Sequence, residues 1–358
     1  MIPAANPIIG REERKAVNRV LKSGGLAQGP EVAAFEKEFS FHVAGRHSVA
    51  LNSGTSALHM AFLAAGIKPG DEVIVPSFSF AATANSVALA GAIPVFVDVE
   101  ENHFNLDPSK IEAAITKKTR AIMPVHLYGH PADLVAITEI AKKHDLLVFE
   151  DAAQAHGAKV NGIPVGAWGI AASFSFYPTK NMTSGEGGMV TTPSDEVSRM
   201  VKVLRNQGME IRYQNEVVGF NTRMTDIHAA IGREQLKKLP QWTAKRQQNA
   251  AFLNENLEGV VVPATAPGME HVFHQYTIKV VDTDRDAFSA ELTKRGVGNG
   301  VYYPTPIHRL PSFQLTLDLP TTERVAQQVL SLPVHPALKK RDLETIVKVV
   351  NSIAKAGS

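Results

Sequence analysis

No cysteine occurs among the 358 residues, so disulfides, thiolate metal sites and cysteine nucleophiles are excluded. An excess of one charge is missing too. Thirty-seven Lys and Arg face 35 Asp and Glu, for a net charge of +2, and the basic residues are scattered. A concentrated basic face is therefore absent, and nucleic acid is not an expected partner. No hydrophobic run reaches the length needed to cross a bilayer; the most apolar stretches, such as residues 122–128, are strand-length, so no membrane association is expected. The opening Met1-Ile2-Pro3-Ala4-Ala5-Asn6-Pro7 lacks a basic patch followed by an apolar core. It does not read as a signal peptide, and a cytoplasmic location is expected. Internal repeats and low-complexity tracts are also missing.

What is present suits a globular enzyme: 44% hydrophobic and 20% charged residues, enough chain for a large domain and a smaller one. Residues 47–151 alternate short apolar runs with helical patterns. Strands are expected at 47–52, 72–76, 93–99, 120–127 and 146–149, and helices at 56–65, 80–90, 109–115 and 131–143. Continuous apolar strands, rather than alternating ones, imply a mostly parallel sheet covered by helices on both faces. Beyond residue 240 the texture changes. A connecting helix (241–257), a strand (275–281), a helix (286–295) and a final helix (341–354) suggest a smaller α+β domain. The expected fold class is thus α/β, with a large domain over residues 1–240 and a small one over 241–358.

In parallel sheets ligands gather at the carboxyl ends of strands, and the polar signals fall there. Gly54-Thr55-Ser56 lies between a strand and a helix, where first-turn amides lack internal partners and can hold an anion. A cap at Ser56 is the plainer alternative. Asp151 ends an apolar run, a costly place for a carboxylate unless it is paired; a cap, a metal ligand or a partner for a cationic ligand atom all remain open. Lys180 follows Ser173-Phe174-Ser175-Phe176-Tyr177-Pro178-Thr179 and precedes Gly185-Glu186-Gly187-Gly188. Desolvation between a buried strand and a glycine turn would lower its pKa and make its amine nucleophilic. A phosphate cradle, a carboxylate and an activated lysine together are what a pyridoxal cofactor requires. No metal site is expected.

These segments, with Pro7-Ile8-Ile9-Gly10, Gly29-Pro30-Glu31-Val32, Pro76-Ser77-Phe78-Ser79-Phe80, Glu150-Asp151-Ala152-Ala153-Gln154-Ala155-His156-Gly157, Gly219-Phe220-Asn221-Thr222-Arg223-Met224-Thr225-Asp226 and Ser331-Leu332-Pro333-Val334-His335-Pro336, run in order along nearly the whole chain. The chain resembles the DegT/DnrJ/StrS family of pyridoxal-phosphate-dependent sugar aminotransferases, which have an aspartate-aminotransferase-like fold (fold type I). The resemblance implies that Lys180 binds pyridoxal 5'-phosphate covalently and moves the proton. It implies that Asp151 pairs with the pyridine nitrogen, Gln154 meets the phenolic oxygen, and Phe80 stacks on the ring. Gly54, Thr55, Ser56 and Ser175 would surround the phosphate, and Asn221 would reach the cofactor of a second subunit in a homodimer with shared sites. His308 would lie near the substrate.

In the same terms the expected reaction is ping-pong: an amino acid, L-glutamate, donates its amine, and a nucleotide-linked keto-deoxy sugar of the 4-keto-6-deoxyhexose type receives it. A 3-keto sugar, an inosose-type cyclitol, or a regulatory protein without turnover are the alternatives. Members with histidine in place of the lysine dehydrate instead, and Lys180 argues against that branch. His228 stands where many relatives have glutamine and is expected to be a packed helix residue.

Overall fold

The computed structural model describes residues 1–357. Helices α1 (Arg11–Ser23) and α2 (Pro30–Ser40) lead into an alternating series. It runs β1 (His47–Leu51), α3 (Gly54–Ala64), β2 (Glu72–Pro76), α4 (Ala82–Leu89), β3 (Ile93–Val97), β4 (Thr119–Ile122), α5 (Leu134–Lys143) and β5 (Leu147–Asp151). A small hairpin, β6 (Lys159–Val160) with β7 (Ile163–Pro164), precedes β8 (Ala171–Ser175), β9 (Gly188–Thr192) and α6 (Asp195–Arg205). After α7 (Asp226–Asn256) come β10 (Met269–Glu270), β11 (Tyr276–Lys279), α8 (Arg285–Lys294), α9 (Pro320–Gln328), β12 (Val329–Leu332) and α10 (Lys340–Gly357).

Seven strands form the main sheet in the order β1-β9-β8-β5-β4-β2-β3. The neighbours from β8 to β3 pair in parallel, whereas β9 runs antiparallel to both β8 and β1. In β2, Val73, Ile74 and Val75 are all fully buried, which explains why consecutive positions are apolar: each faces a helical layer on one side or the other. A fully buried aliphatic side chain of this kind stabilises the fold by about 1.5–3 kcal/mol. A separate core around Leu253, Tyr276, Ile278, Leu292 and Ile346 joins α7 to β11, β12, α8 and α10.

The element pattern differs from expectation in instructive places. The strand expected over 120–127 stops at Ile122, because Pro124 has no N–H to extend the ladder. Pairing resumes as a single bridge between Val125 and Asp151. Asp151 N–H donates to Pro124 O at 2.9 Å and His126 N–H donates to Asp151 O at 3.0 Å, so the end of β5 is clamped. The helix expected over 109–115 is two 3₁₀ turns, Pro108–Lys110 and Glu112–Ala114; so short a segment gains too few i→i−4 bonds to repay helix nucleation.

The connecting helix begins well before 241. It is the 31-residue α7, which passes through Pro240 and across the residue-240 boundary. Thr225 caps its start, its Oγ1 accepting from His228 N–H at 3.3 Å. His228 Nδ1 lies 2.9 Å from the same hydroxyl, the packed helix role anticipated for it. The carboxylate of Asp226 accepts from the amides of Gly29, Glu31 and Val32 at 2.8, 3.2 and 3.0 Å, capping α2 from 194 or more residues away in sequence.

Candidate active site

A cavity of about 370 Å³ opens at the carboxyl ends of β5 and β8 and is lined by Gly54, Thr55, Phe80, Asp151, Gln154, Ser175 and Lys180, among others. Seven of the residues singled out in the sequence therefore converge, although they span 127 positions from Gly54 to Lys180.

Asp151 closes β5 and is 5% exposed. Its Oδ2 accepts from Thr83 Oγ1 at 2.8 Å and its Oδ1 from Ala153 N–H at 3.2 Å. Burial pushes its carboxyl above the ordinary range, only partly countered by Thr83, Ala153 and the charge of Lys180. The neighbouring Glu150 points to the other face, as alternation requires. It is fully buried and accepts from the amides of Gly166, Trp168 and Gly169 at 2.7, 2.9 and 3.0 Å, a structural role.

Lys180 lies in the turn after β8, its N–H donating to Tyr177 O at 3.0 Å. It is half-buried and lines the cavity. Burial pushes its amine down to about 8, with Asp151 pulling the other way. An ordinary lysine is almost wholly protonated at neutral pH, whereas this one is about one-tenth neutral at pH 7.

The opening of α3 supplies the anion end. Ser53, rather than Ser56, is the cap: its Oγ accepts from Ser56 N–H at 3.1 Å and lies 3.0 Å from Ser56 Oγ. Ser56 sits in the first turn, behind the cavity wall formed by Ser53, Gly54 and Thr55. A Cβ at Gly54 would lie 2.8 Å from Ser175 Cβ, so glycine is what lets the helix start approach β8. The tight packing brings the first-turn amides and the Ser175 hydroxyl to one spot, a fit for a phosphate.

Aromatic groups form the remaining wall. The Phe80 and Tyr303 rings are 5.8 Å apart at 38°, and Phe80 is 58% exposed. Gln154 Oε1 accepts from Tyr128 N–H at 2.7 Å, and its Nε2 lies 3.2 Å from Tyr303 OH, which fixes the amide's direction. Thr83, Tyr303 and His274 were not singled out from the sequence. Thr83 is an unremarkable threonine inside α4, and Tyr303 stands in a loop that the sequence alone does not place beside the cavity. His274 is held through Nδ1, 3.3 Å from Asn181 Oδ1, next in sequence to Lys180.

Three residues expected at the site do not line the cavity: Ser56, which lies just behind its wall, Asn221 and His308. Asn221 sits in the loop before α7, bridged to Asn206, and does not line the cavity of its own chain. His308 is fully buried. Its Nδ1 lies 2.6 Å from Ser77 Oγ and its Nε2 3.2 Å from Glu323 Oε1. With both ring nitrogens engaged away from the cavity, His308 supports the loop and does not present itself to a substrate.

A lysine of lowered pKa, a buried carboxylate, an anion cradle and a flat aromatic wall can together hold a planar, phosphorylated, cationic ring and make or break a carbon–nitrogen bond beside it. The model of the DegT/DnrJ/EryC1/StrS aminotransferase family matches residues 7–351. A pleiotropic regulatory protein of Geobacillus stearothermophilus is 42% identical, over 95% of this chain and 93% of its own. The dTDP-3-amino-3,4,6-trideoxy-α-D-glucose transaminase of Streptomyces venezuelae is 41% identical, over 99% and 95%. Among solved structures, NtdA of Bacillus subtilis with bound cofactor PMP superposes with a TM-score of 0.91 at 33% identity, covering 97% of this chain and 83% of that one. The fold is that of the fold type I aminotransferases.

Proposed function

The chain belongs to the DegT/DnrJ/EryC1/StrS aminotransferase family, and from that premise we propose that it moves an amino group from L-glutamate to a nucleotide-linked keto-deoxyhexose. Pyridoxal phosphate is the carrier, and a second copy of the chain completes each site. The observation that carries this reading is one cavity holding Lys180, pushed down to about 8, and Asp151, a buried carboxyl whose hydrogen bonds come from the neutral donors Thr83 and Ala153. A carboxylate so placed is short of a cation, and a protonated pyridine nitrogen is one. At about 3 Å and an effective dielectric near 20, that pair is worth about 5 kcal/mol before desolvation.

When bound, pyridoxal phosphate supplies a carbonyl carbon that accepts the amine and a ring that takes up electrons from the neighbouring carbon. Lys180 holds the cofactor covalently and, once released, takes the proton from the donor's α-carbon and returns it to complete amino transfer. Asp151 keeps the ring nitrogen protonated, and Thr83 and Ala153 hold Asp151 in place. Thr55 and Ser175 grip the phosphate, with Gly54 giving room and Ser56 holding the cap from behind. Gln154 turns its Nε2 toward the phenolic oxygen, and Phe80 and Tyr303 keep water from the ring face. The donor's keto acid leaves before the keto sugar enters.

The position aminated is the finer question. The reading toward a 4-keto sugar rests on the sequence around residues 219–226, while the name of the Streptomyces venezuelae relative, a 3-amino sugar transaminase, favours a 3-keto substrate. The decisive experiment incubates the loaded enzyme with glutamate and then with dTDP-, UDP- and GDP-linked 3-keto and 4-keto sugars, following 2-oxoglutarate. Glutamate should bleach the absorbance of the lysine-bound cofactor, and a keto sugar should restore it. Turnover of an inosose alone would move the acceptor to a cyclitol. Bleaching by no amino acid would overturn the reading in favour of a regulatory protein.

A further inference from the structure

Beneath Lys180, on the side of the N-terminal arm, lies a second and smaller cavity of about 30 Å³. It shares Thr179, Lys180, His274 and Gln275 with the main cavity. The arm that walls it is tied down along its length. Ile2 exchanges backbone hydrogen bonds with Gly296 and Gly298, Pro3 O accepts from His335 Nε2 at 3.1 Å, and Ile8 O accepts from Gln235 Nε2 at 2.9 Å.

The lining holds two cations, Lys180 and Arg246, and no Asp or Glu among the described residues. Arg246 is 7% exposed. The other buried arginines have carboxylates: Arg205 meets Glu36 at 2.6 Å and Arg285 meets Asp286 at 2.6 Å. Arg246 has none. Its Nη1 makes only long bonds to Phe273 O and His274 O, at 3.3 and 3.5 Å, and its Nε is buried without a partner. Burial without a counter-charge pushes even this guanidinium down to about 10. On the same wall His335 Nδ1 is likewise buried and unpartnered. A buried cation is strongly disfavoured unless an anion meets it, and a guanidinium presents a fork of donors that matches a carboxylate. At about 30 Å³, against about 370 Å³ for the main cavity, the space suits a compact anion such as a carboxylate better than a sugar ring.

We infer that the small cavity is an anion subsite in which Arg246 receives a carboxylate of the amino donor. The inference rests on the aminotransferase reading and deepens it by placing the donor's acid group on the arm side of Lys180, apart from the nucleotide sugar. It makes Arg246 a specificity-determining residue carried on α7, with His335 lining the same space.

The test uses the cofactor-loaded enzyme and glutarate, a dicarboxylate with no amine to transfer. Calorimetry should detect glutarate binding to the wild type, weakened at least tenfold in Arg246→Met, with the KM for glutamate rising at least tenfold and kcat changing less. The absorbance of the Lys180-bound cofactor reports that the variant is folded. Arg246→Lys, which keeps the charge but loses the fork, should fall between the two and carries the test if the methionine variant does not fold. Unchanged glutarate affinity in a folded variant, even one of lower thermal stability, makes Arg246 a structural clamp for the 273–274 backbone and overturns the inference. Should wild-type glutamate fail to bleach the cofactor while glutarate binding still depends on Arg246, the anion subsite stands and the aminotransferase reading falls.

Discussion

At the scale of single residues, the state of Lys180 sets a pH dependence. With its amine pushed down to about 8, the neutral, nucleophilic fraction grows about tenfold between pH 7 and pH 9 and then levels off. The rate at which cofactor-free protein captures added pyridoxal phosphate, followed by absorbance, should trace that curve; a lysine at its ordinary value would keep accelerating past pH 10. The same shift acts on folding. Between about 8 and the unshifted lysine value of 10.5, the unfolded chain binds more protons than the folded one, so this group's contribution makes cofactor-free protein gain stability as pH rises through that window. Lys180→Ala should lose covalent capture altogether and at least about 10³-fold in kcat, since nucleophile and proton carrier go together. Thr83→Val removes a hydrogen bond to a buried carboxylate, worth about 1.5–3 kcal/mol. It should cut kcat by about tenfold with little change in KM, measured under saturating cofactor. Of these residues, Lys180 and Asp151 were legible in the sequence because each breaks a local rule: a lysine before a glycine turn, and an acid at the end of an apolar strand. Thr83 breaks none, and only the tertiary fold puts it 2.8 Å from Asp151.

At the scale of elements, the strands and helices that shape the site read clearly wherever burial is continuous, as in β2 and β5. The misreadings share a cause: local pattern lost to a neighbour's hydrogen-bonding needs. Pro124 cut short β4, and α7 extends upstream because Asp226 both opens that helix and caps α2. The family resemblance put His308 near the substrate, yet Ser77 and Glu323 occupy its ring, and nothing local announces those partners. Close approach between elements is where substitution should hurt most. A Cβ at Gly188 would sit 2.2 Å from Ser53 O, against the turn that feeds α3. Gly188→Ala should therefore destabilise by about 1–3 kcal/mol or more and also weaken phosphate binding, read by urea titration and by the cofactor concentration needed for half-saturation.

At the scale of the whole molecule, the loop between α6 and α7 exposes Ile211, Tyr213 and Val218 at 61, 79 and 91%, and Asn221 in the same loop does not line its own chain's cavity. On the proposed homodimer with shared sites, these exposed apolar residues are what the interface would bury. Light scattering should give twice the chain mass, and Tyr213→Glu combined with Val218→Asp should shift the protein toward monomer and lower cofactor affinity together. The two core regions of the single chain are joined by α7. At 1.5 Å per residue its 31 residues reach roughly 46 Å, with Asp226 fastening α2 at one end and Leu253 embedded in the small-domain core at the other. Such a strut makes the chain indivisible: a cut at residue 240 would leave Leu236 and Leu239 at the fraying end of the helix that fills the core around Phe35 and Phe39, and would part Arg246 from the N-terminal arm and Lys180 that line its cavity. Neither half should be recoverable as a folded fragment, and swapping the C-terminal region between relatives should succeed only when the exchange carries α7 entire.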